Sequence, residues 1–220
     1  MDSFVFVMDV VGTVAFAISG AMVAIRKKMD IFGVCILALT TATGGGLIRD
    51  LIIGKNPPQM FRDPFYVLIS VVTAILVFCF FFFEKKDPGM KSKYAVFNEK
   101  ILFLCDSLGL AAFTVDGVNA GMVSAGYKSL FLVVFLGTLT GVGGGLLRDV
   151  FAQEMPMIFV KQVYACACIL GGLATGFLWN RIGANEAMLV GFVITLAVRF
   201  LAAYFHWDLP KISDIEENKN

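Results

Sequence analysis

Two stretches of the chain set an arginine beside an aspartate inside strongly apolar sequence: TATGGGLIRD from Thr41 and TGVGGGLLRD from Thr140. Their charged residues are Arg49, Asp50, Arg148 and Asp149, and three further carboxylates, Asp9, Asp106 and Asp116, stand in other apolar runs. In such surroundings a guanidinium and a carboxylate can pair and lock helices together, or present fixed charge to an ion. Neither role makes or breaks bonds. The sole histidine, His206, ends an apolar run, and no H-E-x-x-H or G-x-S-x-G occurs. GVGGGL from Gly141 misses the dinucleotide fingerprint G-x-G-x-x-G because Leu146 takes its last position. The five cysteines all lie in apolar runs and read as small packing residues, with no disulfide or structural metal site. The expectation is a protein that is not an enzyme and carries no cofactor.

The elements that must hold these charges are membrane helices. Of 220 residues, 58% are hydrophobic and 16% charged, and the mean hydropathy is +0.82. Soluble domains carry roughly 25% charged residues. The net charge of +1 gives no reason to expect nucleic acid. A hydrocarbon core about 30 Å thick takes roughly 20 apolar residues per helix. That ruler divides the chain into an all-α bundle of seven spans, at about 4–25, 31–53, 65–83, 100–121, 128–151, 161–179 and 186–205. The first has no basic region before it and reads as a retained helix. Phe78 and Phe80–Phe83 read as lipid-facing.

Loop charge sets the orientation. Lys55, Arg62, Lys128 and Arg181 fall on the side of the N-terminus. Arg26, Lys27, Lys28, Lys85, Lys86, Lys91, Lys93, Lys100, Lys161, Lys211 and Lys219 fall on the other. The richer side belongs in the cytoplasm, so a protein of the cell membrane with its N-terminus outside and C-terminus inside is expected.

The chain also repeats. GGGLIRD at Gly44 returns as GGGLLRD at Gly143, and Pro57 as Pro156. DVVGTVAFAISG from Asp9 returns as DSLGLAAFTVDG from Asp106, which sets Ser19 against Asp116. FY at Phe65 and VY at Val163 open the third helix of each unit. The expected units are a three-helix repeat over 1–83, a cytoplasmic linker over 84–99, and a second repeat over 100–180. A seventh helix over 181–205 and a cytoplasmic tail over 206–220 follow. Three crossings invert the second unit, an arrangement that recurs in transporters.

Three glycines in succession destabilise a helix by about 1 kcal/mol each relative to alanine. They could let two helices approach closely. A contiguous triple points around the whole helix, so a break or kink at Gly44, Gly45, Gly46 and at Gly143, Gly144, Gly145 fits better, roughly 10–14 Å deep. The charges just beyond would face protein or water, since each costs at least about 2.5–3.5 kcal/mol in lipid. Depth matching predicts two pairs, Asp9–Arg49 and Asp106–Arg148. Asp116 has a serine as its mate and lies near Asn119: it is either an acid beside a cavity, favouring cations, or bonded to a neighbour's amide. Ser19, Thr43, Asn119 and Thr140 are candidates for a polar lining, though membrane threonines often bond their own helix.

With the glycine-triplet Arg-Asp motif twice in seven spans, residues 4–205 resemble the prokaryotic branch of the trimeric intracellular cation (TRIC) channels, also described as a glycine transporter domain family. The resemblance implies a homotrimer with an hourglass pore in each protomer, second and fifth helices kinked at the glycines, and passage of monovalent cations, chiefly K⁺, with Na⁺ the other permeant ion. It puts Arg49, Asp50, Arg148 and Asp149 at the charged positions beyond the kinks. Membrane lipids are the other expected partners. The Lys-Glu-Val motif of animal members is missing, so their phosphoinositide regulation does not carry over. No TVGYG filter occurs either. The competing function is a secondary transporter of a small solute such as an amino acid, built on the same repeats.

Overall fold

The computed structural model describes residues 3–84, 91–125, 129–160 and 163–207. The middle of the linker (85–90), the tail (208–220), and Lys128 and Lys161 among the loop lysines lie outside the described residues. The described chain is helical throughout: α1 (Ser3–Arg26), α2 (Ile31–Ile52), α3 (Gln59–Arg62), α4 (Phe65–Glu84), α5 (Lys91–Ala125), α6 (Leu130–Phe151), α7 (Met157–Val160), α8 (Tyr164–Ile182) and α9 (Ala184–Tyr204). All but α3 and α7 are long and apolar enough to cross a membrane, which makes seven candidate spans. The chain is a multi-pass membrane protein.

Three boundaries differ from the sequence reading, each for a physical reason. Helix α5 starts at Lys91, inside the expected linker. Hydropathy marks where a helix enters lipid, whereas the hydrogen-bonded helix extends beyond that point. Helices α8 and α9 run to Ile182 and from Ala184, so the boundary expected at 180/181 falls inside α8. Gly183, at φ 99°, reverses the chain in one residue. The loops after α2 and α6 each contain a one-turn helix that begins just beyond a proline.

Helices α1, α2, α5 and α6 form the centre. α1 packs on α2 and α5, α5 on α6, and α2 against α6. Helix α4 covers α1 and α2, while α8 and α9 cover α5. Phe80, Phe82 and Phe83 are exposed on α4, as lipid-facing residues would be. Phe78 and Phe81 instead pack against the core, because residues three apart share a face that α4 turns inward.

The glycine triplets do not interrupt their helices: α2 and α6 are continuous α-helix through both. The helices are unbroken there, and the triplets sit where the two backbones meet. A Cβ on Gly45 would run into the carbonyl oxygen of Thr140, and one on Gly144 into that of Thr41. One on Gly143 would lie 3.0 Å from the Cα of Gly45. Three successive positions point three ways, and each meets something different. Gly44 faces Leu147, Gly45 the α6 backbone, and Gly46 only the Arg49 side chain. Gly145 faces Tyr164. A helix packed on several sides at once needs adjacent small residues, which is why the triplet is contiguous.

Candidate functional site

Past each triplet the arginine turns back into the bundle, and residues at matching motif positions make matching contacts. Arg49 Nε donates to Asp50 Oδ1 at 3.0 Å, and Arg148 Nε to Asp149 Oδ1 at 2.9 Å. The second oxygen of each aspartate accepts a backbone amide from the following one-turn helix, Gln59 N at 2.8 Å and Met157 N at 2.9 Å. Tyr66 donates to Asp9 and Tyr164 to Asp106, both at 3.2 Å. Each arginine also reaches the helix that opens the other half: Arg49 donates to Asp116 on α5, and Arg148 to Ser19 on α1.

Arg148 pairs with Asp106 at 2.7 Å. Arg49 does not take Asp9: its partner is Asp116, and Asp9 is held by Tyr66. Depth along the membrane normal fails to separate the two acids, because α1 and α5 lie side by side and bring both to the same end of α2. Asp116 thus lies beside a cavity, as one of its two readings expected, but is paired with Arg49. Asn119 is half-buried on α5 and does not line the cavity described below. Thr41, Thr43 and Thr140 bond the carbonyls of Leu37, Leu39 and Leu136 in their own helices. Thr140 is fully buried against Gly117, so of the lining candidates Thr43 faces open space.

The two clusters differ in charge and access. Asp9, Asp50 and Asp116 surround the single Arg49, three carboxylates to one guanidinium, along a cavity of about 50 Å³. Thr13, Ala42, Thr43, Gly46, Leu47, Gln59, Met60, Tyr66 and Phe113 complete its wall. Room for one water takes roughly 10–15 Å³, so the cavity has room for several waters. The Arg148 cluster is sealed, with Arg148 0% and Asp106 1% exposed. A second cation, Arg199 of α9, lies 3.5 Å from Asp106 Oδ2, so two guanidinium groups meet two carboxylates. Between the clusters, Phe16 and Phe113 meet edge to face at 5.3 Å.

The sequence reading left out Arg199 and the two tyrosines. Arg199 belongs to the seventh span and has no mate in the repeat, so pattern gave it no signal. Tyr66 and Tyr164 served as landmarks in FY and VY, and their matched positions were the signal for their matched role. The amides of Gln59 and Met157 have no side-chain signature.

The family model described as glycine transporter matches residues 6–81 and 103–180, which hold both clusters except Arg199. The chain belongs to the glycine transporter family. Within it, the chain is 37% identical to the UPF0126 inner membrane protein YadS of Escherichia coli K12, over 97% of this chain and 98% of that one. This glycine transporter family member also matches solved structures along nearly its whole length. A prokaryotic TRIC channel crystallised in 0.5 M KCl superposes with a TM-score of 0.83 at 30% identity, over 95% of this chain and 100% of the other. The TRIC trimeric intracellular cation channel orthologue from Rhodobacter sphaeroides gives 0.79 at 32%, over 92% and 98%. The seven spans are thus arranged as in TRIC channels.

Proposed function

We propose that this protein is a monovalent cation channel, passing chiefly K⁺, with a pore through each protomer of a homotrimer in the cell membrane. The observation that carries the reading is the cavity at Arg49, where three carboxylates face one guanidinium. An excess of buried negative charge beside a water-sized space attracts a cation and rejects an anion. The likeness to TRIC cation channels at about a third identity over the whole chain supports it. The finer architecture belongs to the same reading. The two halves are inverted repeats, the N-terminus is outside, and opening separates α2 from α6 with a bend at the glycines. The path runs from the Arg49 cavity past Phe16 and Phe113 to the Arg148 cluster. Asp9, Asp116 and Thr43 line its first part. No group on this path performs catalysis.

Unitary currents from the purified protein in a planar bilayer, with a reversal potential following the K⁺ gradient, are the expected result. Saturable solute uptake without unitary currents would overturn the channel reading. The family's description as glycine transporters makes a small amino acid such as glycine the solute to try, and that outcome would favour a secondary transporter.

A further inference from the structure

We propose that Arg199 is the lock of the closed path: it neutralises Asp106 from outside the two three-helix halves, and its release offers that carboxylate to the permeant cation. The inference rests on the channel reading and assigns a role to a residue that reading does not need.

The argument starts from the one position where the two motifs differ in charge. Asp116 in one half corresponds to Ser19 in the other. At the Arg49 end, Asp116 takes the arginine, and Asp9 lies between the Tyr66 hydroxyl and the Asp116 carboxyl. At the Arg148 end the serine leaves the arginine to Asp106, and Arg199 then adds a second positive charge to that carboxylate. One end keeps a carboxylate for a cation, and the other does not.

Arg199 is also held in a way that permits release. Arg148 is fixed by hydrogen bonds to Asp106, Asp149 and Ser19. The contact of Arg199 with Asp106 is 3.5 Å long, and neither Asp106 Oδ2 nor Arg199 Nε has a hydrogen-bond partner among the described residues. Its guanidinium rests between two rings instead, 4.6 Å from the centre of Tyr164 and 5.1 Å from that of Phe103. Among the described residues charge and stacking hold it without a directional bond, so its release breaks no hydrogen bond that the structure shows. Helix α9, which carries it, packs on α5 and α8, so a shift of α9 moves the charge without disturbing α2 or α6.

The test compares wild type, R199K and R199Q by single-channel recording, and reads Cys168 in liposomes with a cationic thiol reagent by mass spectrometry. Cys168 is fully buried one turn beyond Tyr164, so its labelling reports whether the cluster has opened. R199Q is expected to raise both open probability and labelling rate about tenfold. R199K keeps the charge and loses the flat stacking face, and falls between R199Q and wild type. Equal behaviour of R199Q and wild type would overturn the lock, and so would R199K matching R199Q. If R199Q does not assemble, F103L leaves the charge in place and removes one stacking face. It is expected to raise both readings less, and an unchanged labelling rate would overturn the proposal. Were wild type to pass no current at all, the channel reading would fall, while labelling would still decide whether Arg199 seals Asp106.

Discussion

The Arg49 and Arg148 clusters are built from the same sequence motif, yet one borders a cavity and the other is sealed. Three bonds of each frame match, arginine to neighbouring aspartate, aspartate to loop amide and tyrosine to the first-helix aspartate, whereas the Arg148–Asp106 bond has no counterpart at Asp9. The difference lies in two residues. Ser19 stands where the other half has Asp116, and Arg199 comes from a helix without a counterpart. A shared frame with unequal charge gives one site with three acids around one arginine and another with two acids and two arginines.

The strongest way to break the comparison is to remove each arginine. Arg148→Leu leaves Asp106 and Asp149 buried with Arg199 as their only nearby guanidinium, and a loss of about 3–5 kcal/mol is expected. Arg49→Leu leaves acids that the cavity can hydrate, and about 1–3 kcal/mol is expected. Thermal unfolding of the detergent-solubilised protein, followed by size exclusion, ranks the two. Equal losses would mean that the cavity gives no relief.

The glycines offer a finer contrast. A Cβ on Gly145 comes within 2.8 Å of the Tyr164 hydroxyl, which is buried and bonded to Asp106. Gly145→Ala is expected to cost about 1–3 kcal/mol by overpacking. Gly46 meets nothing nearer than Arg49 Nη2 at 3.7 Å, so Gly46→Ala keeps the better helix former and stays within about 1 kcal/mol of wild type. Gly45→Ala and Gly144→Ala serve as the matched control, since each drives a Cβ into a backbone carbonyl of the facing helix. The same melting assay reads all four.

Charge at the differing position is tested by conductance. Asp116→Ser removes one of three carboxylates at the cavity, and K⁺ conductance at low salt is expected to fall about twofold to tenfold. The deficit should shrink toward 1 M KCl, where the screening length is about 3 Å. A deficit that persists at high salt would point to altered packing instead of lost charge. The tyrosines give the last contrast. Tyr66→Phe gives up a bond that water in the cavity replaces, costing less than about 1 kcal/mol, whereas Tyr164→Phe leaves a buried carboxylate short of a donor and costs about 1–3 kcal/mol. Melting temperatures of the pair check the order.

Most of the bundle was legible in the sequence, because lipid thickness fixes span length and seven apolar runs satisfy it. The Arg148–Asp106 pair was legible by depth, since one acid lies level with that arginine. The Arg49 partner was not: Asp9 and Asp116 approach the same end of α2 from neighbouring helices, and depth carries no lateral information. The close approach at the glycine triplets was not legible, because absence of a side chain serves a bend and a close approach equally. Only the facing backbone of α6 distinguishes them. Arg199 was invisible to pattern because pattern here means repetition, and α9 is not repeated.

The two one-turn helices change how the buried arginines are connected to the membrane surface. Asp50 accepts Arg49 on one oxygen and the Gln59 amide on the other, at 3.0 and 2.8 Å. Asp149 joins Arg148 to Met157 in the same way. Each aspartate is thus a rigid linkage between a surface loop and a charge inside the bundle. Pulling on the loop draws on the arginine through two bonds in series. Each one-turn helix after a proline is therefore coupled to a buried arginine through two hydrogen bonds on one aspartate.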